Sequence, residues 1–191
     1  FLGMAEYLAV NKLSYETQEA RDVVDQMMEK FALETYKASN KLAKERGTYE
    51  VYEGSEWSKG IILGKDEAWF NANSSMSKEW SKLLKDMKKD GLRFAYHTAP
   101  APNTSTAGVV GTTAAMLPIY KKYFIETNSV APVVNVAPNL NSDNFWHYKE
   151  YVNMDMNDVI DMVSVIYKWV DQSISFEWII NPQKVSPVEL Y

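Results

Sequence analysis

Cysteine is absent from this 191-residue sequence. That excludes disulfides, thiolate nucleophiles, zinc–cysteine sites and thiyl-radical chemistry from the chain's own side chains. Histidine is scarce: His97 and His147 are the only two. They share no ligand spacing, so a metal site would have to draw carboxylates from elsewhere, and no metal or other cofactor is expected in the chain itself. No apolar run approaches the roughly 18 residues of a membrane span, and no signal peptide is visible. The expected location is the cytoplasm, with no membrane partner. A strong charge of one sign is also missing. Twenty basic against 25 acidic residues leave a net charge of -5, which argues against broad binding to nucleic acid or an anionic surface.

What is present is ordinary for a globular chain. Hydrophobic residues make up 46% and charged residues 24%, and the length suits one domain, or at most two. No internal repeat or low-complexity segment appears. The sequence opens on Phe1-Leu2-Gly3 without an initiator methionine. Near its other end Ser186, Pro187 and Glu189 announce a helix with a capping box that stops after about one turn. Both features read as a piece of a longer fold.

The clearest helix is expected over residues 14–46. Ser14 would cap it, Ala20, Val23, Val24, Met27, Met28, Phe31 and Ala32 follow helical spacing, and Ala38, Leu42 and Ala43 continue the stripe to a stop at Gly47. Residues 48–76, with Gly54, Gly60 and Gly64, read as loop. A second helix is predicted for 77–90, with Trp80, Leu83, Leu84 and Met87 inward and Gly91 ending it. Residues 92–98 read as a strand containing His97. The small-residue run 107–115 reads as a helix ending before Pro118. Residues 128–142 form an Asn- and Pro-punctuated segment. A helix over 157–171 would carry Ile160, Val163, Tyr167 and Val170 on one side, and 173–180 reads as a buried strand. This order suggests α/β architecture with an incomplete sheet. Lys82, Lys85, Lys88, Lys89 and Arg93 are interleaved with Asp86 and Asp90, the pattern of a solvated helix face. The six tryptophans and twelve tyrosines form no stacking motif and read as core or interface.

The stretch from Pro100 to Gly111 carries the most chemistry. A strand would deliver the chain through Pro102 and Asn103 into Thr104, Ser105 and Thr106, where a helix of small residues starts. Free N–H groups in a first helical turn attract anions, the three hydroxyls add donors, and Ala107 and Gly108 leave room for a phosphate to approach. The same turn also reads as an ordinary N-cap on a buried helix.

Several stretches match one family in order and separation. Leu92-Arg93-Phe94-Ala95-Tyr96 followed by Pro102-Asn103-Thr104-Ser105-Thr106 resembles the large subunits of ribonucleotide reductases, class I-like. So do Gly111-Thr112-Thr113, Asp171-Gln172-Ser173-Ile174-Ser175, Gly3-Met4-Ala5-Glu6-Tyr7-Leu8-Ala9 and Lys37-Ala38-Ser39-Asn40-Lys41-Leu42-Ala43.

The resemblance implies that residues 1–191 are a single fragment of a ten-stranded α/β barrel, from its C-terminal part. Residues 1–91 would be mainly helical with a loop at 48–76. Residues 92–118 would form strand, phosphate-binding turn and helix, and 119–191 helices and a barrel strand. It implies a role in reducing ribonucleotides to deoxyribonucleotides, with Pro102, Asn103, Thr104, Ser105 and Thr106 at the substrate diphosphate; position 103 varies within the family.

The cysteines that carry the radical and supply electrons, and the finger loop, have no counterpart in this sequence. The implied partners are the N-terminal remainder of a large subunit bearing the finger loop, a radical-generating small subunit, a dithiol reductant and a ribonucleoside diphosphate. The alternative is a non-catalytic phosphate-binding or structural interaction module. Open strand edges at 92–98 and 173–180 would also favour self-association.

Overall fold

A computed structural model describes residues 1–127, 131–179 and 186. The described residues fall into two compact units. One takes Phe1–Asp22, Pro100–Ser164 and the described residues of Ile174–Tyr191; the other takes Val23–Ala99 and Val165–Ser173.

The helices are α1 (Met4–Val10), α2 (Gln18–Arg46), α3 (Glu67–Asn73), α4 (Ser77–Asp90), α5 (Thr104–Val110) and α6 (Met156–Tyr167), with single 3-10 turns at Trp57–Lys59 and Tyr151–Asn153. Strands β1 (Tyr123–Thr127) and β2 (Pro132–Val136) pair antiparallel. No barrel is formed by the described residues; what they build is a helix-rich piece with one two-stranded sheet.

The helix α2 starts later than its apolar stripe suggests. Thr17, not Ser14, caps it: the Thr17 hydroxyl accepts the Ala20 N–H at 3.2 Å. Its buried face runs through Ala20, Val24, Met28, Ala32, Leu33, Tyr36 and Ala43, whereas Phe31 is exposed. Gly47 ends it as expected, with φ 80° and its N–H bonded to the Ala43 carbonyl at 2.8 Å.

Helix α4 matches the sequence reading closely. Trp80, Leu83, Leu84 and Met87 are its buried residues, and each full burial is worth on the order of 1.5–3 kcal/mol. Gly91 stops it at φ 74°, ψ -165°, a region open essentially to glycine alone. A Cβ at this position would lie 2.2 Å from Thr48 Cγ2.

The second unit is organised around stacked rings. Phe70 stacks on Trp80 with centroids 4.3 Å apart, and Trp80 on Trp169 at 6.1 Å. Beneath them the buried Glu29 carboxylate accepts bonds from Trp80 Nε1 at 3.1 Å, from Ser75 at 2.9 Å and from Ser74. This explains helix α3, which lies inside the stretch expected to be loop. Asp66 caps it by accepting the Trp69 N–H at 2.8 Å, and Phe70 anchors it to Trp80.

In the first unit, Ala9, Ala137 and Tyr148 form a small buried cluster against Ile119 and Leu140. The β1–β2 ribbon, which the punctuated segment 128–142 gave no sign of, is exposed on both faces.

Four expectations are corrected here. Residues 92–98 form no strand: the chain bends at Arg93 and Ala95, and side chains rather than a neighbouring strand accept the N–H groups of Arg93, Phe94, His97 and Thr98. Ser39 Oγ accepts from Arg93 and Phe94 at 3.1 and 3.3 Å, and the Asp171 carboxylate accepts from His97 and Thr98 at 2.7 and 2.8 Å. The helix placed at 107–115 instead runs over Thr104–Val110, ended by Gly111 in the left-handed conformation at φ 78°. Residues 173–179 form neither a strand nor a buried segment; every position there is half-exposed or exposed, and Ile180 lies outside the described residues. Finally, α6 ends at Tyr167 rather than 171. It buries Val159, Met162, Val163 and Ile166, leaving Tyr167 exposed, so the face is rotated from the one expected.

Candidate phosphate-binding turn

The turn belongs to the first unit. Pro102 is exposed, Asn103 is half-buried, Thr104, Ser105 and Thr106 are exposed, and Ala107 is the one buried residue of α5. The three hydroxyl residues therefore form the first turn of the helix, three positions earlier than expected. Ala107 faces the interior. Gly108 is exposed, with nothing within 4 Å of where a Cβ would stand.

Asn103 occupies the N-cap position at φ -110°, ψ 50°, yet its side chain does not cap the helix. An asparagine cap is normally worth about 1 kcal/mol. Here the amide is used elsewhere: Nδ2 donates to the Phe1 carbonyl at 3.1 Å, and Oδ1 accepts the Ala115 N–H at 3.2 Å. Among the described residues, the N–H and hydroxyl groups of Thr104, Ser105 and Thr106 make no hydrogen bond. Six donors thus lie unpaired on one exposed helical turn. Helix α5 is only seven residues long, so these groups, rather than a developed helix dipole, supply its attraction for an anion.

The segment after the helix is held as firmly. Gly3 N–H donates to the Thr113 carbonyl at 2.8 Å, Glu6 N–H to the Thr113 hydroxyl at 3.2 Å, and the Thr112 hydroxyl to the Glu6 carboxylate. Asn139 Nδ2 reaches the other Glu6 oxygen at 2.5 Å. Gly3 has φ 82°, and a Cβ there would sit 2.8 Å from Thr112 Oγ1. The Tyr15 hydroxyl donates to the Met116 carbonyl at 3.0 Å, and burial pushes that phenol's pKa well above its usual value. The exposed turn rises from a pinned base.

A second constellation lies in the other unit. His97 Nδ1 is 3.2 Å from Asp171 Oδ2, with both side chains buried, and Tyr36 OH donates to the same carboxylate at 3.3 Å. Burial alone would raise the Asp171 pKa. The hydrogen bonds from His97 and Thr98 outweigh it and hold the carboxyl below its ordinary value. His97 Nε2 is buried without a partner among the described residues. No group of three His, Asp or Glu side chains among the described residues is placed to hold a metal ion. Two open clefts, of about 310 and 340 Å³, lie at Glu16, Lys149 and Asp158 and at Lys65, Lys168 and Asp171; residues 102–106 line neither.

The model of the family described as ribonucleotide reductase, barrel domain, matches residues 1–190. The chain belongs to the ribonucleotide reductase barrel family. It is 37% identical over 94% of its length to the ribonucleoside-diphosphate reductase subunit alpha of Synechocystis, covering 23% of that protein. The Helicobacter pylori subunit alpha is 32% identical over the whole chain, which covers 25% of it. The Bacillus subtilis subunit alpha is 32% identical over 92%, with 27% covered. The chain spans about a quarter of the length of these curated relatives.

Seen as a ribonucleotide reductase barrel piece, the chain gives its resembling stretches structural work. Gly3 and Glu6 bind Thr112 and Thr113. Ser39 holds residues 93 and 94, and Asp171 holds 97 and 98. Sequence reasoning named these segments but not the pairings. The signal was their polarity: Ser39, Asn40, Thr98 and Thr113 are polar residues that the fold buries. No helix among the described residues is long and apolar enough to cross a membrane.

Proposed function

We propose that this chain is part of a ribonucleoside-diphosphate reductase large subunit and contributes the turn that holds the substrate's diphosphate. The observation that carries the reading is the first turn of α5. Three backbone N–H groups and three hydroxyls, at Thr104, Ser105 and Thr106, have no partner among the described residues and stand on a base pinned at Asn103, Thr112 and Thr113. Neutral donors in a fixed array bind phosphate oxygens without an opposing charge of their own, and they orient a diphosphate as well as hold it. Pro102 fixes the backbone entering the turn.

In this reading the chain binds and orients but performs no redox step. It has no cysteine to carry a radical or a dithiol. The remainder of the large subunit, with the finger loop, supplies those groups. A small subunit generates the radical, a dithiol reductant supplies electrons, and the ribonucleoside diphosphate is the substrate. The test is an assay for deoxynucleotide from ribonucleoside diphosphate, with small subunit and dithiol present. The purified chain gives no product, and a polypeptide joining it to the cysteine-bearing remainder does. Product from the chain alone overturns the reading.

A further inference from the structure

We propose that Asn103 is a positioning residue for the diphosphate turn, a brace that ties the turn's entrance to its exit while leaving the helix start uncapped. The inference rests on the phosphate-binding reading of residues 102–106 and adds how that site is kept open.

Asparagine is among the best N-caps because its side-chain oxygen accepts an N–H from the first helical turn. At Asn103 that oxygen points instead to Ala115 N–H, 3.2 Å away, beyond the end of α5. Its amide nitrogen donates to the Phe1 carbonyl at 3.1 Å. One side chain thus joins residues 1, 103 and 115, and Ala115 itself sits in the left-handed conformation at φ 47°, which its bonding must hold in place.

Two consequences follow. The turn's base cannot widen without breaking the Asn103 bonds. The N–H groups of Ser105 and Thr106, which a capping side chain would occupy, stay available to an incoming anion. The chemistry needs both ends of the amide: aspartate lacks the donor for Phe1, and serine is too short to span 103 to 115 and returns to capping.

The experiment uses the ¹⁵N-labelled chain, with amide exchange and pyrophosphate titration on wild type, Asn103→Ala and Asn103→Ser. In wild type the Ala115 amide is protected and those of residues 104–106 exchange freely. Both variants are expected to lose protection at Ala115 and to bind pyrophosphate at least fivefold more weakly. Asn103→Ser alone should gain protection at Ser105 or Thr106, the mark of a restored cap. If Asn103→Ala leaves Ala115 protected, or exposes amides at 105–106 that wild type protects, Asn103 is a cap and the brace is wrong. If wild type binds and both variants bind equally well, the positioning role is wrong while the phosphate site stands. If wild type moves no amide between 103 and 108, the phosphate reading fails first and takes this role with it.

Discussion

Asp171 and Thr98 bind each other reciprocally. The Asp171 carboxylate accepts the Thr98 N–H at 2.8 Å and its hydroxyl at 3.1 Å, while the Asp171 N–H donates to that same hydroxyl at 3.0 Å. Burial works against the charged carboxylate, but the hydrogen bonds from His97 and Thr98 outweigh it, so the folded Asp171 pKa lies below the ordinary value of 3.8. Its contribution to stability is therefore complete above about pH 4 and is lost as the pH falls through the folded value. Asp171→Asn turns an NH2 group toward backbone donors and should cost about 1–3 kcal/mol at pH 7. Urea unfolding at pH 7, 5, 4 and 3 reads this directly: the gap between wild type and variant should shrink below pH 4. A gap constant over that range would mean that the carboxylate's charge is not what holds residues 97 and 98.

Gly91→Ala should destabilise the chain. The φ 74°, ψ -165° backbone costs a non-glycine residue about 1–3 kcal/mol, and the new methyl collides with Thr48 Cγ2. Adding Thr48→Ala removes the collision with Thr48 but neither the torsional cost nor the tight 3.2 Å approach to Tyr52 Cε1, so it should restore only part of the lost stability. Denaturant midpoints of the single and double variants separate the two contributions.

Ile125 and Val134 are cross-strand partners on the β1–β2 ribbon, and each is 68% exposed. Tyr123, Val133 and Val136 add to the uncovered apolar surface. A two-stranded ribbon of this kind favours association, so the chain should sediment as a concentration-dependent mixture. Ile125→Lys with Val134→Lys should shift it toward monomer with unchanged helical circular dichroism. A single monomeric species at high concentration in the wild type contradicts this.

Local signals were the legible ones. Helix α4 declares itself through Trp80, Leu83, Leu84 and Met87 at helical spacing and Gly91 at its end, and Gly47 stops α2 for the same reason. The hydroxyl residues Thr104, Ser105 and Thr106 also stood out as a group after Pro100 and Pro102, and they form the exposed first turn of α5.

Pairings over long separations were hidden. Residues 92–98 have a strand-like pattern, but what satisfies their backbone is Ser39 on one flank and Asp171 on the other, and no periodicity encodes that. The ribbon at β1 and β2 lacks the alternation of a half-buried strand because both its faces are exposed. Helix α3 depends on the stacking of Phe70 against Trp80, which the glycines around it concealed. Asn103 looked like a cap or a ligand, and only the structure reveals that its side chain leaves the helix uncapped and bonds Phe1 and Ala115 instead.

The central claim is that residues 102–106 receive a diphosphate. Charge-assisted hydrogen bonds contribute about 1.5–3 kcal/mol each, so two or three of them leave only a modest affinity after association costs. The decisive measurement is a titration of the ¹⁵N-labelled wild-type chain with pyrophosphate to millimolar concentration, following every backbone amide. Shifts confined to residues 103–108 that saturate, and that Ser105→Ala weakens without abolishing, are the predicted result. Amides at 103–108 that stay unmoved at millimolar pyrophosphate, in a spectrum that otherwise reports an intact fold, would contradict the claim.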